Sequence, residues 1–197
     1  MSVQVLRESP AAPLSAIGPY READHQAAPE EPRLELLFGR FFVSPSPSPL
    51  HQVIVGLLGK RLLDIAIASG GWSAMAPLDV FLADHSVVQP DVVYLAADRR
   101  KCLRERVEGA PTLVVEVLST ATARRDRGEK LKLYAQSGVQ EYWLVDGESR
   151  QIEFLVNRGK EFAVALAEDG VYRSAHVPEL ILNLEALWGE VSQIQRA

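Results

Sequence analysis

The chain has one cysteine, Cys102, in 197 residues. That excludes an internal disulfide framework and a zinc site built on cysteine. Histidine is scarce as well. His25, His51, His85 and His176 are scattered, with no two at the spacing by which a helix presents a metal pair. A metal bound here would therefore be a hard cation held by carboxylates. No apolar run approaches 18 residues and no basic-plus-apolar leader opens the sequence, so a soluble, cytoplasmic protein with no membrane partner is expected. Positive charge is not in excess either, since the net charge is −5. Hydrophobic residues, at 47%, suffice for one domain with its own core.

What is present is concentrated between residues 90 and 146. From Asp98 to Lys132 there are ten basic residues against six acidic ones, counter to the acidic chain as a whole. A solvated face is the plain reading of such a run. Here, however, it flanks Leu113-Val114-Val115-Glu116-Val117-Leu118, an apolar strand with a carboxylate inside it. Burying an unpaired carboxylate costs several kcal/mol or forces its pKa upward. Such a group persists where it binds a cation, takes part in chemistry or meets a fixed partner. Beside it, the basic run becomes a candidate phosphate-facing surface.

The pattern along the chain predicts a mixed α/β protein. Residues 1–31, rich in Ala, Pro and Glu, read as a mobile N-terminal tail, and residues 32–197 as one domain. A hairpin is expected from Leu34–Phe38 through Gly39 to Arg40–Val43. A Ser-Pro tract then leads into a helix over Leu50–Ala68, which Gly70-Gly71 stops. Two strands, Pro77–Ala83 and Val87–Leu95, flank a turn at Asp84-His85-Ser86. The strand Thr112–Leu118 is apolar on both faces and reads as central. A helix capped by Thr120 or Thr122 follows and ends at Gly138. With the strand Glu141–Asp146 it forms a crossover unit, so the two strands should be parallel. Gln151–Val156 reads as an edge strand, Phe162–Leu166 and Val171–Ser174 as a hairpin, and Leu184 to about Trp188 as a short helix.

Spacing gives a local prediction. Asp126, Lys130 and Tyr134 recur every four residues and share one helical stripe, from which Lys130 can reach the end of the Glu116 strand. Asp91 opens the strand expected beside it. Two carboxylates and an ammonium at one end of a sheet suit phosphodiester cleavage with Mg²⁺ or Mn²⁺ on Asp91, Glu116 and the Val117 carbonyl. Lys130 would supply positive charge. A structural Glu116–Lys130 ion pair is an equal alternative for the strand acid taken alone. Tyr134 and Trp143 read as packing residues.

These residues also carry a resemblance. Pro90-Asp91-Val92-Val93, Val115-Glu116-Val117-Leu118-Ser119-Thr120, Asp126 to Lys130, and Gly138-Val139-Gln140-Glu141-Tyr142-Trp143-Leu144-Val145-Asp146 together resemble the Uma-type restriction endonuclease family, a bacterial branch of the PD-(D/E)xK nuclease superfamily. The resemblance implies a restriction-endonuclease-like fold: a mixed β-sheet core flanked by helices, with an N-terminal hairpin and a C-terminal β extension. It implies a Mg²⁺- or Mn²⁺-dependent endonuclease acting on DNA, with Asp91 and Glu116 as metal ligands and Lys130 as the electrostatic catalyst. The position two after Glu116 is Leu118 rather than lysine, which is why the role passes to Lys130 on the following helix. The family's first acid corresponds to Glu35 and its recurrent histidine to His51, a proton shuttle or phosphate contact, or else a helix-start histidine bonded to backbone. Asp126 would hold Lys130 or the loop before the helix. Arg40 stands where the family usually has an acid. Pairing into a homodimer would suit a nuclease that cuts both strands, although no residue marks an interface. The alternative is a catalytically inactive nucleic-acid-binding or regulatory protein that keeps the fold.

Overall fold

The computed structural model describes residues 17–196. The first hairpin forms as expected. Strands β1 (Leu34–Leu37) and β2 (Arg40–Val43) pair antiparallel about Phe38 and Gly39, whose φ angles are 47° and 74°. Gly39 is also required by proximity, because a Cβ there would lie 2.3 Å from the Gly18 carbonyl oxygen. The chain crosses the hairpin at that point. Gly18 N–H donates to Phe38 O at 2.7 Å, and helix α1 (Glu22–Gln26) begins with Glu22 N–H bonded to Asp84 O at 2.7 Å. Of the expected mobile tail, residues 1–16 lie outside the described residues, and the stretch from Ile17 is hydrogen-bonded into the fold.

Helix α2 (Pro49–Ser69) starts where the Ser-Pro tract ends. Ser48 Oγ accepts the His51 N–H at 3.2 Å, Pro49 supplies the preset first turn, and Gly70 closes the helix at φ 74°. The next segment departs from the sequence reading. Strand β3 (Trp72–Met75) was not anticipated, and the expected strand Val87–Leu95 is two strands. β4 (Val80–Ala83) and β5 (Ser86–Val88) form the hairpin, and β6 (Val92–Leu95) joins a different sheet. The break falls at Pro90, which has no N–H to give to a ladder.

One sheet runs β2-β1-β5-β4-β7, where β7 is Val107–Glu108. The other runs β11-β10-β9-β8-β6-β3, with β8 (Leu113–Val117), β9 (Glu141–Asp146), β10 (Gln151–Asn157) and β11 (Phe162–Ala165). β8 is central: antiparallel to β6 and, as the crossover requires, parallel to β9. β10 is not an edge strand, because β11 pairs along it. That leaves β12 (Val171–Arg173) to pair with β13 (Ile181–Asn183) rather than with β11. Short segments in a β-rich tail have several feasible partners, and the pattern alone chose the wrong one. The crossover helix contains α3 (Ala123–Arg125) and α4 (Leu131–Ser137), joined by a π-helical turn at Asp126–Lys130. Helix α5 (Leu184–Arg196) runs well past the expected end at Trp188.

Alternation along β8 sorts its side chains onto two cores. Leu113, Val115 and Val117 pack with α2 and α5, whereas Val114 packs with Leu133 and Tyr134 of α4 and with Leu37, Val80 and Val88 of the other sheet. Glu116 shares the Val114 face. It therefore points between the two sheets, toward the crossover helix.

A second buried carboxylate, Glu141, heads β9 and is fully satisfied. Its Oε1 accepts from Ser174 Oγ (2.6 Å) and His176 N–H (2.7 Å), and its Oε2 from Trp143 Nε1 (3.1 Å) and Tyr172 OH (3.1 Å). Four donors and no cation mark a structural role. Glu141→Gln would set its amide against two of those donors, and should destabilise the fold by about 2–4 kcal/mol, read as a lower urea midpoint.

Candidate active site

The site lies where the chain passes between the sheets. Gln89-Pro90-Asp91 is that passage, and the register Val92↔Val115 sets Asp91 beside Glu116. Asp91 Oδ2 accepts the Val117 N–H at 2.7 Å and lies 3.1 Å from His51 Nε2. The backbone N–H of His51 at the helix start bonds Ser48 in addition. From the other sheet, β1 sends in Glu35, on the same face as Leu37. Glu35 Oε1 accepts the Gln89 N–H at 2.8 Å.

Lys130 ties these parts together. Its Nζ lies 2.8 Å from Glu35 Oε1, 2.8 Å from Glu116 Oε1 and 3.7 Å from Asp126 Oδ1, with only 4% of the side chain exposed. Glu116 Oε1 also accepts a 2.7 Å bond from Tyr134 OH. The structure thus brings together Asp91, Glu116, Lys130, Glu35 and His51, and places Asp126 next to the ammonium. These residues line one cavity of about 630 Å³, together with Val117 and Arg125.

Tyr134 needs correcting: it packs, but its hydroxyl also fixes Glu116. The four-residue spacing from Lys130 was the available signal. Two further features had none. The π-helical turn brings both Asp126 and Lys130 into buried positions, and Arg125 enters the cavity with its guanidinium over the Phe42 ring, 5.2 Å from the centroid.

The basic run also divides. Arg99 donates to the carbonyls of Ala110, Pro111 and Gly138, and Arg100 to those of Gly70 and Gly71. These carbonyls precede β3, β8 and β9, at the end of the sheet opposite Glu116. Only Arg125, Arg127 and Lys130 of the run line the cavity. The candidate phosphate-facing surface is therefore its second half.

Electrostatics at the site are unbalanced. Burial lifts the Glu116 carboxyl well above the usual range, opposed by Lys130 and reinforced by Asp126, Asp91 and Glu35. Asp126 is raised in the same way. Burial works against the Lys130 ammonium, but the carboxylates of Glu116, Glu35 and Asp126 outweigh it and keep the lysine charged. Burial and the Glu116 charge hold Tyr134 protonated. Buried polar atoms without a hydrogen bond among the described residues gather here too: His51 Nδ1, Gln89 Oε1, Arg125 Nε and Asp126 Oδ1 all belong to cavity-lining residues.

A carboxyl held above its ordinary range weakens the fold wherever it is ionised. Its stabilising contribution is present below the unfolded pKa and is lost as pH rises through the folded one. Neutralising it removes that cost. Glu116→Gln can still accept from Lys130 and Tyr134, and should leave the metal-free protein with an equal melting temperature at pH 7–8, or one higher by about 2–4 °C. A melting temperature several degrees lower would instead mark a structural ion pair.

Among the described residues no three His, Cys, Asp or Glu side chains group as a self-sufficient metal cage. The donors on offer are hard oxygens: Asp91 Oδ1 and Glu116 Oε2, which accept no hydrogen bond from the described residues, and the Val117 carbonyl. Such a set fits an ion that keeps several waters and completes its shell on a phosphate, as Mg²⁺ does.

The fold is that of a nuclease-like α/β domain. The family model described as "Uma2: Putative restriction endonuclease" matches residues 20–185, and the chain belongs to that family. Its fold is also similar to the crystal structure of a protein titled as a putative nuclease belonging to DUF820 from Anabaena variabilis ATCC 29413. That likeness has a TM-score of 0.72 at 20% identity, and covers 88% of this chain and 99% of the other. The search of curated proteins gave no match. Among the described residues, no helix is long and apolar enough to cross a membrane.

Proposed function

We propose that this protein is a divalent-metal-dependent endonuclease that hydrolyses DNA phosphodiester bonds, with Asp91, Glu116 and the Val117 carbonyl holding Mg²⁺ or Mn²⁺. The observation that carries the reading is the surplus of carboxylate around one buried ammonium. Glu35, Asp91, Glu116 and Asp126 share the part of the cavity that holds Lys130 and Arg125, and Arg33 and Arg127 line it elsewhere. A cation would relieve that surplus. When bound, it would polarise the scissile phosphate and acidify a water.

The chain's own residues do the rest. Lys130 remains an ammonium, so it serves as a fixed positive charge toward phosphate oxygens and not as a base. Glu35 and Glu116 fix its position from two sides. Tyr134 holds Oε1 of Glu116, which leaves Oε2 for the cavity. His51 stands at the cavity wall with Nε2 within hydrogen-bond distance of Asp91, which orients the ring. Titration calorimetry with Mn²⁺ tests this. Wild type should bind at one site and Asp91→Asn at least about tenfold more weakly. A flat wild-type titration would favour the second reading, a non-catalytic DNA-binding protein in which Glu116 Oε1 is closed on Lys130 and Tyr134.

A further inference from the structure

Arg125 is the one arginine with a buried nitrogen left unpartnered among the described residues. Its side chain is 12% exposed and its Nη2 stands 3.8 Å from Glu35 Oε2, beyond hydrogen-bond reach. Among the described residues its other side-chain contact is the face of Phe42. Elsewhere the chain treats arginine differently. Arg99 meets three carbonyls, Arg100 two, and Arg61 takes both oxygens of Glu190 at 2.7 Å. A guanidinium offers five donors in a planar fork and does not lose its charge. Held by stacking and by a distant carboxylate, Arg125 is aimed without being satisfied.

We infer that Arg125 is a phosphate-binding residue of this cavity, presenting its two Nη groups to the two non-bridging oxygens of a phosphodiester. The fork matches that pair of oxygens, whereas a lysine would offer a single point of charge. Phe42 packs against the guanidinium at the cavity wall, and Glu35 is shared between Arg125 and Lys130. The two cations thus stand on either side of one carboxylate. A phosphate entering between them would meet Lys130 as a charge and Arg125 as a bidentate clamp. The diester as ligand rests on the endonuclease reading; the anion site itself rests on the geometry.

Dimethyl phosphate, a minimal diester, is the probe. Its binding to the Mg²⁺-supplemented full-length protein is followed by ³¹P NMR for wild type, Arg125→Lys and Arg125→Gln, alongside KM and kcat for plasmid nicking. Because the Arg125 side chain makes no hydrogen bond among the described residues, and lysine keeps the positive charge beside Glu35, Arg125→Lys should unfold close to the wild-type temperature. The expected result is diester affinity lower by about 10- to 100-fold in both variants, with a KM rise that exceeds the change in kcat. Wild-type affinity in the variants, or no binding by wild type, overturns the inference. If nicking persists in either of those cases, the endonuclease reading stands without Arg125. Arginine-dependent diester binding without metal-dependent nicking would support the anion site and remove the endonuclease reading.

Discussion

Lys130→Met is expected to cost about 3–5 kcal/mol of folding stability at neutral pH, the usual consequence of removing one partner from a buried charge cluster. The ammonium is the sole cation within 2.8 Å of either Glu35 Oε1 or Glu116 Oε1 among the described residues. Methionine fills the space of the lysine stem but leaves those carboxylates to one another. The loss should depend on pH in a defined direction. Burial already lifts Glu116 and Asp126 above their ordinary values, and Lys130 is the first contribution opposing it at both. Without the lysine, both folded pKa values rise further. Carboxyls of that kind support the fold below their unfolded values, near pH 4, and withdraw that support as pH rises through the folded ones. The variant's deficit should therefore be small near pH 4–5 and large by pH 8. Urea midpoints at the two pH values check this, and a pH-independent deficit would contradict it.

Asp91→Asn is expected to lower metal-dependent cleavage by at least about 10³-fold, as the loss of several kcal/mol of transition-state stabilisation requires. The asparagine oxygen can still accept from Val117 N–H, which keeps the passage between the sheets in place. What disappears is a negative charge beside Glu116 and the free oxygen Oδ1, which becomes an amide group. The activity loss should come with little loss of stability, in contrast to Glu141→Gln. Rates over a Mn²⁺ titration, set beside unfolding midpoints, separate the two effects.

Much of this site was legible in sequence because it depends on short periods. A strand with a two-residue alternation and a helix with a four-residue recurrence suffice to bring Glu116, Lys130 and Tyr134 to one place, and the crossover makes β8 and β9 parallel. Asp91 followed from the strand after Pro90. The parts that were misread depend on contacts between segments distant in the chain. Nothing local in Val87–Leu95 states that its halves serve two sheets, although Pro90 was the clue. Pairing of β11 with β10 rather than with β12 is set by which apolar faces remain uncovered. The basic run looked continuous, yet antiparallel β6 and β8 carry its first half to the far end of the sheet. Arg125 was one arginine among several until Phe42 and Glu35 were placed around it.

The central claim is tested most directly by nicking of supercoiled plasmid at low salt, with wild type and Asp91→Asn purified in the same way and assayed with and without Mg²⁺ or Mn²⁺. Low salt matters because the chain is acidic overall and phosphate contacts weaken steeply with ionic strength. Nicking that requires the metal and disappears in the variant is the predicted result. Equal nicking by both proteins, or none by wild type with either ion, would contradict the assignment of Asp91, Glu116 and Lys130 as a hydrolytic centre.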